Sequence, residues 1–487
     1  MLRARWRCHS YIIPSFIASL IVWCWFVTWG DWKFFHQEDF CGYYDAYARS
    51  ILHGRFDVPR SAIGVEAFTF EGKTYGYFGI APALLRIPLV LIFPNMDGLW
   101  SRTMVLVAAT ISLICGYALL RMFRDSSRKL TRAERVLHSI FIVIAGIGST
   151  IVFLVGRSYT YHEALAWSGA FALLFAWAIA RYFQESRTKF LLLASAFSFM
   201  SFHSRATTGA GTLIAITIVA VILIVRAVWK PEFAGTIFGF VEVARPGRHA
   251  SIAATAVAVT VAAYFGVNYA KFRTFDPLPL RYYDFYHEFP IRMRITQGTQ
   301  IHLQNIPSAI ATYFGVHGFR IKGGFPWFYL EEEQTVIGWP RNDVIEPFST
   351  VPVSMPALSL LAVIGIATLS SGANESLKRA RLPAATLFVG GAIVLATVGI
   401  TERYLHDFYP ALILCAAAGV TRLGSSPHIR IINALATGLA AISIILNCSF
   451  SFINQREGLG APDAKVLEYQ QLQERVDSLK QRVFSDD

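Results

Sequence analysis

The sequence predicts an all-α polytopic membrane protein with about eleven transmembrane helices, and three observations carry that expectation. Hydrophobic residues fill 54% of the 487 positions and charged residues only 16%, against about 25% charged in an ordinary soluble protein. The apolar residues arrive in blocks near the ~20-residue length that crosses a bilayer, not in short amphipathic periods. Lys and Arg gather in the short connections between those blocks. A soluble enzyme, a disordered chain and a disulfide scaffold are excluded by the same arithmetic. The net charge of +12 would suggest nucleic acid in a soluble domain. Here it belongs to loops that orient spans, so the expected partner is the lipid bilayer and no nucleic acid.

The first block, 11–29, follows Arg3, Arg5 and Arg7 and lacks a small-residue cleavage site. It reads as a retained span, not a signal peptide. Further blocks fall at 98–120, 136–156, 162–182, 190–203, 208–226, 251–270, 352–371, 383–399, 406–421 and 431–449. The stretch Ile80 to Phe93 is also apolar, but it contains Pro82, Arg86 and Pro88. It reads as interfacial or re-entrant. With a cytoplasmic N-terminus, the cytoplasmic segments hold 21 Lys and Arg, while the opposite short loops hold Arg157, Arg205 and Arg403. That asymmetry predicts N-terminus in and, after eleven crossings, C-terminus out. Two long segments then lie outside, 30–97 and 271–351. Residues 1–450 form one transmembrane module and 451–487 an outer tail. In that tail Tyr469, Leu472, Val476, Leu479 and Val483 mark one apolar helical stripe, expected to pack on the protein's own outer domain. The six cysteines show no CxxC pair and read mainly as small core residues.

Ionisable groups at membrane depth are costly and need either partners or a task. They gather on the outer side. Glu38, Asp39, Tyr44 and Asp45 follow the first span; Arg157, Tyr159, His162 and Glu163 lie at the outer end of the third. His203 and Arg205 end the fifth, and Glu402, Arg403, His406 and Asp407 end the ninth. Singly, each has a bland explanation in snorkelling arginines and an aromatic belt. Their conjunction at one depth points to a site. A lipid-linked sugar phosphate would lay its tail among the spans and its phosphate at the interface. Guanidinium forks match phosphate geometry, which singles out Arg157, Arg205 and Arg403. Lys271, at the start of the second long segment, is a further phosphate candidate. A carboxylate beyond the first span can serve as general base. There is no nucleotide-binding loop, HExxH helix or GxSxG elbow. This chemistry requires no cofactor. Glu331-Glu332-Glu333 could hold a divalent metal, although a solvated acidic turn is the plainer reading.

Glu38-Asp39, followed by Tyr44, Ala48, Arg49, Leu52 and Gly54, resembles the first outer loop of GT-C glycosyltransferases. It resembles especially the bacterial relatives of protein O-mannosyltransferases and of aminoarabinose and arabinosyl transferases. The stretches Val65-Glu66-Ala67-Phe68, Gly72 to Pro88 and Glu402 to Pro410 look similar to that group as well. The resemblance implies an inverting transfer from a polyprenyl-phosphate-linked sugar donor to a glycan, lipid or protein acceptor. It implies Asp39 as base, with Glu38 second and Asp45 third, although the order here is Glu-Asp where Asp-Glu is more usual. Donor phosphate contacts then fall on Arg157, Arg205, His203, Arg403, His406, Lys271 and Arg86. Substrate contacts fall on Asp45, Tyr44, Tyr159, His162, Glu402 and Glu66. The implied location is a bacterial inner (plasma) membrane with a periplasmic or extracellular active face. Two other classes compete. A lipid-linked glycan flippase or transporter would favour pseudo-symmetric halves and a midplane site. An O-antigen-type ligase or polymerase would use 271–351, with Arg281, Arg292, Arg294 and Arg320.

Overall fold

A computed structural model describes residues 10–38, 40–124, 128–229, 237–240, 242–371, 375–457 and 463–484. Every apolar block named above contains helix. In chain order the main helices begin with α1 (Ile13–Val27), α2 (Tyr43–Leu52), α3 (Ala81–Ile92) and α4 (Ser101–Phe123). There follow α5 (Arg132–Gly146), α6 (Ile151–Gly156), α7 (Thr160–Glu185), α8 (Thr188–Phe202), α9 (Ala206–Trp229) and α10 (Pro246–Phe272). The last are α11 (Ile306–Phe314), α12 (Pro356–Ser370), α13 (Arg381–Ala392), α14 (Tyr409–Gly424), α15 (Ile429–Glu457) and α16 (Asp463–Phe484). Among the described residues, seven helices are long and apolar enough to cross a bilayer; α3, α8, α12 and α14 are apolar but shorter.

The block expected at 136–156 is two helices, α5 and α6, not one. Gly146, Gly148 and Ser149 favour a break there, because glycine lowers helix propensity. Ser149 donates to Ala145 O at 2.8 Å, and Thr150 turns its hydroxyl to His406 Nδ1 at 3.0 Å. The break therefore admits a side chain from a distant segment. α3 has 12 residues, a rise of about 18 Å, so it cannot span a hydrocarbon layer of ~30 Å.

The centre of the bundle is α7, packed between α4 and α8. α12 lies against α14 at close range, since a Cβ at Gly365 or Gly419 would strike the other helix's backbone. Small residues permit such approach between apolar helices. Both long segments fold together at one end. Phe68, in the antiparallel pair Phe68–Phe70 with Lys73–Tyr75, stacks on Tyr283 at 4.6 Å. Asp284 N donates to Ala67 O at 3.0 Å. Val344–Ile345 pairs in parallel with Gly399–Ile400, tying the second segment to the end of the ninth block. In α16, Tyr469 is buried, and its hydroxyl meets Tyr329 and Phe325 O, both at 3.1 Å. Val476 is half-buried and Leu472 and Leu479 stay exposed, so the stripe is covered only in part. The Val483 side chain lies outside the described residues.

Candidate active site

The end of the bundle that carries both long segments also gathers the ionisable groups. Arg205, just after α8, reaches Asp407 with Nε and Nη2, both at 2.9 Å. Asp407 also accepts from the hydroxyls of Thr207 and Thr208, each at 2.6 Å. Its carboxylate is therefore saturated and fully buried, whereas the Arg205 side chain keeps 19% exposure. Arg403 pairs with Glu346 through both terminal nitrogens and is likewise 19% exposed. Tyr404 joins the two cations, since Arg205 lies 4.9 Å and Arg403 5.8 Å from its ring centre. Arg403 also lies 4.7 Å over Tyr161. Each guanidinium is thus held by an acid and an aromatic face, with part of its donor edge outside the pair.

Glu66 completes this cluster. It accepts from the hydroxyls of Tyr283, at 2.7 Å, and Tyr161. Burial raises its carboxyl above the ordinary value, and those hydroxyls and Arg403 only partly offset that effect. For Glu346 burial also acts upward, but Arg403 outweighs it and the carboxyl ends below its ordinary value. Tyr77, 36% exposed, is within electrostatic reach of Glu66, Tyr404, Arg403 and Arg205. Two cations, two acids of opposite shift and several phenols therefore share one cluster.

The acidic pair after the first span is only half visible, because Asp39 lies outside the described residues. Its neighbours are anchored. Glu38 pairs with Arg102 at 2.6 Å and accepts from Ser158 N at 3.3 Å. Phe40 O accepts from Thr160 N at 3.3 Å, and the Phe40 ring meets Tyr159 edge-on at 6.0 Å. The chain on both sides of position 39 thus runs along the turn that carries Arg157. Arg157 is buried, 4.2 Å over the Tyr159 ring, and donates to Asn454 O at 3.2 Å.

Other expected site residues have structural partners of their own. Arg86 and Asp45 are fully buried in a triad: Arg86 reaches Glu163 at 2.7 Å and Asp45 at 3.2 Å. Asp45 also accepts from Gly98 N at 2.6 Å. Tyr44 is buried beside them. His162 Nδ1 faces the Arg157 carbonyl at 2.6 Å, His203 Nε2 faces Thr260 O at 3.2 Å, and His406 stacks on Tyr409 at 4.7 Å. Glu402 accepts from Ser349 N, and burial raises its carboxyl to about 8, a shift that this hydrogen bond only partly offsets. Lys271 is buried, donating to Gly76 O at 2.9 Å over the Tyr47 ring. In the acidic run, Glu331 and Glu332 pair with Arg320. Among the described residues no group of three or more His, Cys, Asp or Glu side chains could hold a metal ion.

Sequence reasoning did not single out Glu346, Arg102, Tyr77, Tyr283 or Tyr404. Glu346 had no signal beyond being an acid in the second long segment. Arg102 offered one, as a charge at the start of an apolar block that is costly without a partner.

No family model matches the chain, and no curated protein matches it. Solved structures do. The apo oligosaccharyltransferase of Archaeoglobus fulgidus superposes with TM-score 0.50 at 14% identity, covering 96% of this chain and 60% of its own. The archaeal oligosaccharyltransferase AglB from the same organism, in complex with an inhibitory peptide and a dolichol-phosphate, gives 0.45 at 14%, covering 95% and 60%. ArnT from Cupriavidus metallidurans bound to undecaprenyl phosphate gives 0.45 at 11%, covering 88% and 63%. The chain thus spans about 60% of the length of the oligosaccharyltransferases it matches. Polytopic, helical and closed at one end by two long segments, the chain shares its fold with the Archaeoglobus fulgidus oligosaccharyltransferase.

Proposed function

We propose that the protein is an inverting glycosyltransferase. It takes a sugar from a polyprenyl-phosphate donor and passes it to a glycan, lipid or protein acceptor on the extracytoplasmic side of a bacterial inner membrane. The observation that carries this reading is the pair Arg205 and Arg403, brought together around Tyr404 at one end of the bundle. In the reaction, an acceptor hydroxyl attacks the anomeric carbon and loses its proton to a base. The bond to the phosphate oxygen breaks, and its electron pair leaves on the polyprenyl phosphate. Preorganised guanidiniums stabilise that developing charge without reorienting. Of the three candidate bases, Glu38 is engaged by Arg102 and Asp45 by Arg86 and Gly98. Asp39 therefore remains the proposed base. The 21-to-three distribution of Lys and Arg supports the assigned side.

The test uses proteoliposomes containing the full chain, a radiolabelled polyprenyl-phosphate sugar and an envelope glycan extract. Labelled acceptor with release of polyprenyl phosphate is expected. Movement of intact donor across the bilayer, with no glycosidic product, would replace the enzyme reading with a flippase.

A further inference from the structure

At the opposite end of the bundle lies a cavity that the transfer reaction does not use. Its volume is about 550 Å³, and it opens between α1, α5 and α15. Its walls are apolar, formed by Ile140, Val143, Ala440, Ala441 and Ile444. Its rim carries Arg132 and Arg135, both exposed. From Arg132 the chain runs through α5 and α6 to Arg157, a rise of up to about 38 Å. The cavity mouth and the arginine cluster therefore stand at opposite membrane boundaries.

Three features fix what kind of molecule fits. From Arg132 to Val143 the helix rises about 16 Å, half of a ~30 Å hydrocarbon layer. That depth suits one acyl chain of a single leaflet and not a lipid that crosses the membrane. The rim charge is also uncompensated by the nearest acid. Glu134, between the two arginines, is engaged in a capping box with Thr131, accepting from its N at 2.7 Å, and in an ion pair with Arg128. Finally, Asn433 donates to Ala133 O at 3.0 Å, which aligns the starts of α5 and α15 and brings Arg430 to the same end. Several cations above an apolar slot complement a phosphodiester headgroup with its chain below.

We propose that this cavity binds an anionic glycerophospholipid of the adjacent leaflet, its phosphodiester on Arg132 and Arg135 and one acyl chain along Val143, Ala441 and Ile444. The site is independent of the proposed transfer chemistry, so it stands or falls separately.

Native mass spectrometry of the detergent-solubilised full chain, titrated with phosphatidylglycerol or phosphatidylcholine of matched chains, reads the binding. Phosphatidylglycerol is expected to bind more tightly. The double variant Arg132→Gln/Arg135→Gln should lose roughly tenfold or more of that affinity. Ala441→Leu, which fills the slot from an exposed position, should weaken both lipids. Equal retention of phosphatidylglycerol by the double variant and the unmodified chain would overturn the proposal. So would its displacement by glycerol phosphate alone, which would indicate a headgroup site with no chain.

Discussion

Arg205 and Asp407, 202 positions apart, are joined by two nitrogen donors at 2.9 Å, and the acid has no exposed surface. The pair fixes the guanidinium next to Tyr404, where Arg403 approaches the same ring. A cation held in this way gives up net charge to its partner but gains a defined orientation. For a leaving phosphate, orientation is the more useful of the two.

Asp407→Asn should therefore be costly twice. Removing one partner of a buried ion pair destabilises by about 3 kcal/mol or more, read as a lower thermal midpoint in detergent. Activity per folded molecule should also fall, since Arg205 loses its anchor. A variant with normal turnover would remove the pair from the site.

Arg403→Lys keeps a positive charge but cannot span Glu346 with two terminal nitrogens. The donor KM is expected to rise severalfold or more, with the protein still folded. Steady-state kinetics against donor concentration checks this. An unchanged KM would mean that charge alone suffices.

Arg86 provides a contrast, because its guanidinium is occupied by Asp45 and Glu163. Arg86→Met should destabilise by about 3–5 kcal/mol by leaving two buried acids without their cation. Donor affinity of the molecules that remain folded should not change. A selective loss of donor binding in an equilibrium assay, at unaltered thermal stability, would instead make Arg86 a phosphate ligand.

Burial raises the Glu402 carboxyl to about 8. Its folded state therefore holds a proton that the unfolded chain releases near pH 4–5. Stability from this group is complete below the unfolded value and declines as pH rises toward 8. Glu402→Gln should flatten that decline, with its amide oxygen still accepting from Ser349 N. Thermal midpoints of both proteins between pH 5 and 9 decide it; parallel slopes would refute the assignment.

The spans were legible because hydrophobic block length is a one-dimensional signal, and Arg157, Arg205 and Arg403 were legible as charges at block ends. Their partners were not. Glu346 is 57 positions from Arg403 and Asp407 is 202 from Arg205, and no local spacing rule connects residues brought together by bundle packing. The sequence consequently suggested cations aimed at a ligand, where the structure pairs Arg205 and Arg403 with acids. The break between α5 and α6 had only its glycines as a sign. Its use, seating Thr150 against His406, depends on a contact 256 positions away.

The central claim is best tested at Asp39. In proteoliposomes supplied with a polyprenyl-phosphate sugar, the release of polyprenyl phosphate by Asp39→Asn is compared with that of the unmodified protein. A fall in kcat on the order of 10²-fold or more, with donor still bound, is the expected result for a general base. Turnover equal to that of the unmodified protein would contradict it.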